Sequence, residues 1–436
     1  MAAEWRNWTG DQRCVPAAIY RPRTLDGLTH AVRRAAESGL AIHAAGSGHS
    51  FTDAALTDGA LVRIEALDRV LHVDRGTGLV KVEAGITLAD LSAALWELGL
   101  ALENLGDIDK QTLAGAISTA THGTGSRFRN LSAQVEALEL VLADGSLIEV
   151  SNGADRAAYR AARVGLGALG VVYSATVRAV PAFVMRRLDS PRPLEATLAA
   201  IDELAARNEH FEFFVFPHTD TALVIERNRF EGPPRLRGRV DAYVNEILVE
   251  NYGMDALSRV ARRFPDSIPR IAGFAARQFS RTERTDRSYR IFASERRVRF
   301  TEMEYAIPRE HGAEVVRRVL ALVRERGFPV GFPIEFRLVA PDDAFLSPAH
   351  ERETAYVAVH QYQGAPWEPY FRAVEEIMDS YGGRPHWGKR HFQTAETLAG
   401  RYPRWRDFQK VRARLDPEGR FSNAYTDRVL GPVSRR

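Results

Sequence analysis

The chain has 436 residues, 45% of them hydrophobic and 26% charged, the proportions of a folded globular protein and too long for one ordinary core. Its 59 basic residues face 56 acidic ones, interleaved along most of the chain, so the small positive excess describes a solvated surface and excludes a nucleic-acid partner. A lone cysteine, Cys14, excludes an intrachain disulfide framework and a cysteine metal cluster. No run approaches the roughly 20 apolar residues that span a bilayer. The first ten residues carry Glu4 and no apolar stretch. No integral membrane segment and no signal peptide are therefore expected, and the expected location is cytoplasmic.

In chain order, short apolar runs punctuated by glycine predict strands at 41–45, 61–64, 79–83, 135–141 and 171–177. Helical spacing of Leu and Ala predicts helices at 25–38 and 88–98, with Thr24 and Thr87 as N-caps. The stretch 181–193 reads as a boundary. Beyond it come predicted helices at 194–206, 315–326 and 370–381, and aromatic-rich strands at 211–216, 300–307, 334–339 and 356–362. Alternation of Arg297, Arg299 and Thr301 with Val298 and Phe300 suggests antiparallel sheet covered on one face. The basic segments 235–239 and 279–290 read as loops. From about Ala399 a tail with the turn Asp416-Pro417-Glu418-Gly419-Arg420-Phe421 could close back on the first domain. The expected organisation is α+β: a nucleotide-binding domain at 1–181, a second domain with an antiparallel sheet at 182–398, and a returning segment at 399–436.

The segment Gly165-Leu166-Gly167-Ala168-Leu169-Gly170 satisfies the dinucleotide fingerprint literally. That mechanism needs a strand before the glycines and a helix after them, so that pyrophosphate meets the helix N-terminus. Here residues 157–163 look helical and a strand follows, so the fingerprint is rejected. Two other segments qualify better. Ala45, Gly46, Ser47, Gly48, His49, Ser50 and Phe51 follow a strand directly and can present backbone N–H groups and hydroxyls to a phosphate. Gly115, Ser118, Thr119, Thr121, His122, Gly123 and Gly125 lie in a run of small residues that lets backbone approach a large flat ligand. Together the segments read as two walls around one nucleotide.

These segments, with Gly170 and Val171, resemble the FAD domain of the vanillyl-alcohol-oxidase family. Glu335-Phe336-Arg337 and Pro385-His386-Trp387-Gly388-Lys389 are similar to the signature of its aldonolactone branch. The resemblance runs through nearly the whole chain and implies a two-part FAD domain with an inserted α+β substrate domain. It implies FAD as cofactor, with pyrophosphate on the first glycine loop, isoalloxazine along the second segment, and the adenine end near Gly170 and Val171. It also implies that His49 tethers the flavin 8α-methyl group. A neutral imidazole is a suitable nucleophile; the alternative is that His49 hydrogen-bonds a phosphate. His122 reads as a structural turn residue.

Glu335 and Arg337 are two apart in a predicted strand and share a face. A carboxylate can accept hydrogen bonds from sugar hydroxyls and a guanidinium can hold a carbonyl or oxyanion. Lys389 adds positive charge that would ease loss of the hydroxyl proton. The alternative is an exposed ion pair worth under ~1 kcal/mol. His360 either faces the same pocket or packs in the core, and Glu302 and Glu304 are weaker candidates. None of these has metal spacing, and no metal is expected. The expected activity is oxidation of an aldono-1,4-lactone to an ascorbate-type product, with an open-chain polyol as the alternative substrate. Oxygen, cytochrome c or a quinone-like acceptor would reoxidise the flavin.

Overall fold

The computed structural model describes residues 3–235, 254–294 and 298–433. The helix Leu25–Glu37 starts where Thr24 Oγ1 accepts from Gly27 N at 3.1 Å, and Leu88–Glu97 where Thr87 accepts from Asp90 N at 3.1 Å. Both caps satisfy amides that a helix start leaves without partners. The strands Ala18–Tyr20, Ala60–Arg63 and Ile42–Ala45 form a small parallel sheet. Five antiparallel strands follow in the order Leu147–Ser151, Val135–Val141, Val171–Arg178, Leu79–Glu83 and Val70–Asp74. One apolar core joins both sheets, with Leu28, Val62, Val80, Leu138 and Val177 among its members.

The tail belongs to this core. Phe408, Val411, Tyr425 and Val429, on the helices Trp405–Leu415 and Ala424–Leu430, are buried in it. Ile42 N donates to Arg420 O at 2.7 Å, and Asn423 Nδ2 donates to the carbonyls of Ala54 and Leu56, both at 2.9 Å.

A second core lies under one face of an eight-stranded antiparallel sheet. Its order is Thr282–Arg287, Val184–Pro193, Thr221–Arg229, His210–Val215, Ile334–Val339, Thr354–Tyr362, Phe300–Pro308 and Arg384–Pro385. Phe213, Phe336, Val357 and Met303 point into that core, against the helices Gly312–Arg326 and Glu368–Asp379. Side chains of a strand alternate, so the neighbours of these residues face the other way, toward the first domain.

Four expectations need correction or limits. The stretch 181–193 is no bare boundary, because Val184–Pro193 is a strand of the large sheet, held between two partners by backbone ladders. Only Met185 on it is buried, so hydrophobic periodicity could not show it. The segment 279–290 is not a loop: Thr282–Arg287 is the polar edge strand and the helix Ser288–Phe292 follows. The single helix expected at 194–206 is two, Leu194–Ala199 and Ile201–Arg207, broken at Ala200 with ψ near 11°. Residues 236–239 of the other basic segment, and Arg297, lie outside the described residues.

The glycines at 165–170 sit between the helix Arg156–Ala162 and the strand Val171–Arg178, the reverse of the order a dinucleotide fingerprint requires. The glycine-rich segment at 111–125 contains a short helix, Leu113–Ser118, capped by Thr112 Oγ1 accepting from Gly115 N.

Candidate active site

The outward face of the large sheet is polar. It carries Glu212, Glu335, Arg337, His360, Glu302 and Glu304, none more than 7% exposed. Strand register sets Arg337 between Glu212 and Tyr356, and His360 beside Glu302. The surface-pair alternative for Glu335 and Arg337 therefore fails.

Arg337 serves three carboxylates: its Nε lies 2.9 Å from Glu212, its Nη2 lies 3.3 Å from Asp107, and it also pairs with Glu335. Glu212 has a second partner in Arg227 at 2.7 Å. Burial, together with Asp107, Glu212 and Glu302 nearby, pushes the Glu335 carboxyl well above its usual range against the pull of Arg337. Glu302 pairs with Lys389, and His360 Nε2 stands 3.5 Å away. His360 Nδ1 donates to the Pro333 carbonyl at 2.9 Å. Burial disfavours the Lys389 ammonium, yet Glu302 and Glu304 prevail and hold its pKa above the ordinary value.

Glu304 faces His122 Nε2 at 3.3 Å, while His122 Nδ1 donates to Gly123 O at 2.8 Å. Burial acts to raise the Glu304 carboxyl, but His122, His386 and Lys389 overcome it and hold it below the usual range. The His122 ring stacks on Tyr356 at 3.7 Å. Lys389 and His386 come from the turn after the Arg384–Pro385 strand, anchored by fully buried Trp387, whose Nε1 donates to Leu346 O at 2.6 Å. Phe51 N donates to Gly388 O at 2.8 Å, joining this turn to the first glycine loop.

Two cavities meet here. A groove of about 890 Å³, part of it open to solvent, has one wall made of Ala45, Gly46, Ser47, Gly48, His49 and Ser50. Thr112, Ala114, Gly115, Ser118 and Thr119 make the second wall, and Gly167, Gly170 and Val172 close one end. A deeper cavity of about 530 Å³ is lined by Phe51, Asp107, Thr121, His122, Glu304, Arg337, His386 and Lys389. His49, Ser50 and Gln111 line both.

The residues of the groove fit a flavin dinucleotide. A Cβ on Gly46 would lie 2.0 Å from Thr112 Oγ1, so only glycine keeps this part of the loop open. Gly48 has φ near 70°, the left-handed region that turns the loop. Ser47 Oγ and His49 Nδ1 are buried without hydrogen-bond partners, as expected of groups that meet a ligand. Burial, then the charges of Lys389 and Lys110, lower the His49 pKa to about 4, so its ring is neutral at pH 7. Trp8 stacks on it at 5.3 Å.

Not every expected residue lines these two cavities. Glu335 and His360 stand behind Arg337 and Glu302, outside the cavity lining. Gly125 instead joins the loop to the sheet, its N donating to Leu338 O at 2.7 Å. A Cβ on Gly123 would lie 2.3 Å from Leu105 O, so this glycine permits close packing. Val171 faces the core at 1% exposure, and the groove is lined by its neighbour Val172. Gln111 and Thr112 fall inside the segment 111–125 expected to form the second wall, whereas the sequence did not single out Asp107, Glu212 or Trp8. Of these only Glu212 carried a signal, a charge alternating with Phe211 and Phe213.

Two sets of metal-capable donors lie close together, His122 with Glu304 and His386, and Glu302 with Glu335 and His360. In the first, His386 Nδ1 accepts from Gly388 N at 3.0 Å, which places the ring proton on Nε2, where a metal would have to bind. In the second, Glu302 is already committed to Lys389. Neither set is assigned a metal.

A glycine-cradled groove opening onto a buried polar cavity at the face of an antiparallel sheet defines a flavin-dependent oxidoreductase of two-domain architecture. The fold is shared with a solvent-stable cholesterol oxidase at TM-score 0.80 and 18% identity, covering 97% of this chain and 96% of that one. Residues 16–151 match an FAD binding domain, and residues 175–429 match the D-arabinono-1,4-lactone oxidase family. Over 432 residues the chain is 51% identical to L-gulono-1,4-lactone dehydrogenase of Mycobacterium tuberculosis, covering 99% of this chain and 100% of that protein. L-gulonolactone oxidase of Mus musculus is 32% identical, covering 98% of each chain. Alditol oxidase of a Streptomyces species is 30% identical, covering 99% of this chain and 100% of that protein. The chain belongs to the D-arabinono-1,4-lactone oxidase family of FAD-dependent aldonolactone oxidoreductases.

Proposed function

We propose that the protein oxidises the hydroxyl of an aldono-1,4-lactone, with L-gulono-1,4-lactone as the first substrate to test, and that its FAD is covalently bound through His49. The observation that carries the reading is the junction: His49 and Ser50 line the groove that fits the cofactor and also the cavity that holds Arg337 and Lys389. The bound flavin supplies the hydride acceptor.

The chain supplies the rest. Arg337 and Lys389 offer N–H donors to the lactone carbonyl and to the oxygen losing its proton, from positions in the cavity wall. Asp107 and Glu304 offer acceptors to the sugar hydroxyls, and the partly exposed Asp107 carboxylate would pass the released proton to solvent. Glu335 fixes the Arg337 guanidinium from behind, and His360 and Glu302 fix Lys389. The neutral His49 ring has a nucleophilic nitrogen for the flavin methyl group. The first domain is assigned to residues 1–181, the cap to 182–398 and the returning segment to 399–436. A cytoplasmic location, checked by fractionation, is part of the proposal; no helix among the described residues is long and apolar enough to cross a membrane.

The test is acid precipitation followed by anaerobic mixing with L-gulono-1,4-lactone and, separately, with alditols. A yellow pellet and bleaching by lactone are expected. A colourless pellet refutes the tether, and bleaching by alditols alone refutes the lactone assignment.

A further inference from the structure

Away from the polar site, a separate cavity of about 420 Å³ lies beneath the helices Met254–Arg263 and Ile268–Gln278, at the end of the large sheet. Its lining includes Ala261, Ile268, Gly331, Phe332 and Tyr362, with Arg262 at the rim, and is largely apolar. The polar side chains of the sheet here are engaged elsewhere. Tyr362 Oη donates to Asp255 at 2.7 Å, and Gln361 Nε2 donates to the carbonyls of Pro329 and Pro366 at 3.1 and 3.2 Å. The helices above it leave Val260, Phe264 and Phe274 exposed among arginines, a surface that collects apolar molecules.

A file of rings runs from this cavity to the active site. Tyr362 stacks on Phe332 at 6.2 Å, Phe332 meets Phe300 at 6.0 Å, Phe300 meets Trp8 at 5.9 Å, and Trp8 stacks on His49 at 5.3 Å. Electrons tunnel through packed rings with less attenuation than across gaps. The near end of the file, His49, lines both active-site cavities, and the far end is the largely apolar pocket.

We propose that this cavity binds the oxidant that regenerates the enzyme, a flat apolar quinone, with Arg262 donating to a quinone carbonyl at the rim. The inference rests on the reading that a flavin sits at His49. Two electrons taken from the substrate leave the reduced flavin along the ring file. The quinone would gain them with two protons from solvent and become the hydroquinone, and the flavin, releasing its own proton to solvent, would return to its oxidised form. The site is distinct from the lactone cavity, so quinone and lactone bind together.

The probe is duroquinone, titrated by calorimetry into the flavin-loaded full chain with and without saturating lactone-derived product. Gly331 is a suitable place to fill the cavity, because a Cβ there would meet only Ala261 Cβ, at 3.8 Å. Gly331→Phe is expected to weaken duroquinone binding about tenfold or more, while anaerobic bleaching of the flavin by lactone keeps its rate. Ala261→Leu is the second variant should Gly331→Phe not fold. Unchanged duroquinone affinity in both variants, or displacement of duroquinone by the product, overturns the proposal. Failure of lactone to bleach the flavin refutes the substrate reading instead, and leaves the binding titration as a test of the cavity.

Discussion

Arg337→Met removes the one guanidinium that Asp107, Glu212 and Glu335 share. The three carboxylates do not suffer equally. Glu212 keeps Arg227 at 2.7 Å, and the Asp107 side chain is 23% exposed and can rehydrate. Glu335, only 5% exposed, is left with the His360 ring, 3.9 Å away, as a neighbour in place of the guanidinium. Stripping one partner from a buried pair costs about 3–5 kcal/mol, because the other charge stays uncompensated. Glu335 can escape part of this by taking up a proton, and its pKa is already raised. A raised folded-state pKa favours the fold below it and costs stability as pH rises through it. The variant's deficit should therefore approach the full ~3–5 kcal/mol at alkaline pH and shrink in mild acid. Urea denaturation at pH 6 and pH 8.5, followed by circular dichroism, measures it. Glu335→Gln in the Arg337→Met background removes the stranded charge and should recover most of the loss. A deficit independent of pH, or a double variant no more stable than Arg337→Met, would refute the reasoning.

Lys389→Met should lower kcat for lactone about 100-fold, the usual cost of a lost oxyanion donor, with a smaller change in KM, by steady-state kinetics. His49→Ala should fold normally and yield a colourless acid-precipitated pellet while retaining some flavin in the native protein, measured by absorbance before and after precipitation. Gly46→Ala brings a Cβ to 2.0 Å from Thr112 Oγ1 and should lose flavin; adding Thr112→Ala should restore part of it, read as flavin per chain. Burial lowers the His43 pKa from 6.5 to about 4, so the fold holds it neutral and stability falls as pH drops below 6.5. Between pH 7 and pH 5 this one group should cost about 2 kcal/mol, and His43→Gln should flatten that part of the acid slope in denaturation midpoints.

Much of the fold was legible where local physics decides. The strands Leu79–Glu83, Val135–Val141 and Ile334–Val339 fall on the residues their apolar runs predict, and Thr24 and Thr87 cap the helices they precede. What stayed hidden is held by partners distant in sequence. The strand Val184–Pro193 carries Arg186, Arg187 and Asp189 and buries little, yet it pairs along its length with Thr221–Arg229. The site divides in the same way. Glu335, Arg337 and Lys389 stood out through the family signature they resemble, and the first two also by sharing a strand face, but no spacing could show that Asp107 shares the same guanidinium or that His360 stands behind Glu302. The glycines at 46 and 48 were readable as a cradle, whereas the Thr112 side chain that makes Gly46 obligatory comes from the opposite wall.

The charge inventory of the deep site bears on how it handles a proton. Among the described ion pairs, Asp107, Glu212, Glu302, Glu304 and Glu335 face the fixed cations Arg227, Arg337 and Lys389. So large an excess of buried negative charge is not tolerated, and protons must reside in the cluster. The geometry indicates where. Glu335 is the carboxyl whose burial and neighbours most favour a proton, whereas Glu302 and Glu304 are held below the usual range despite their burial. His386 is held neutral by burial, which lowers its pKa to about 3. Release of a hydroxyl proton therefore occurs beside ionised carboxylates, and the charge left on the oxygen falls to Arg337 and Lys389. Removing either cavity acid, Asp107 or Glu304, should then slow the reaction less than removing Arg337 or Lys389, because the other acid still accepts from the sugar while a lost cation leaves the charge on the oxygen uncompensated.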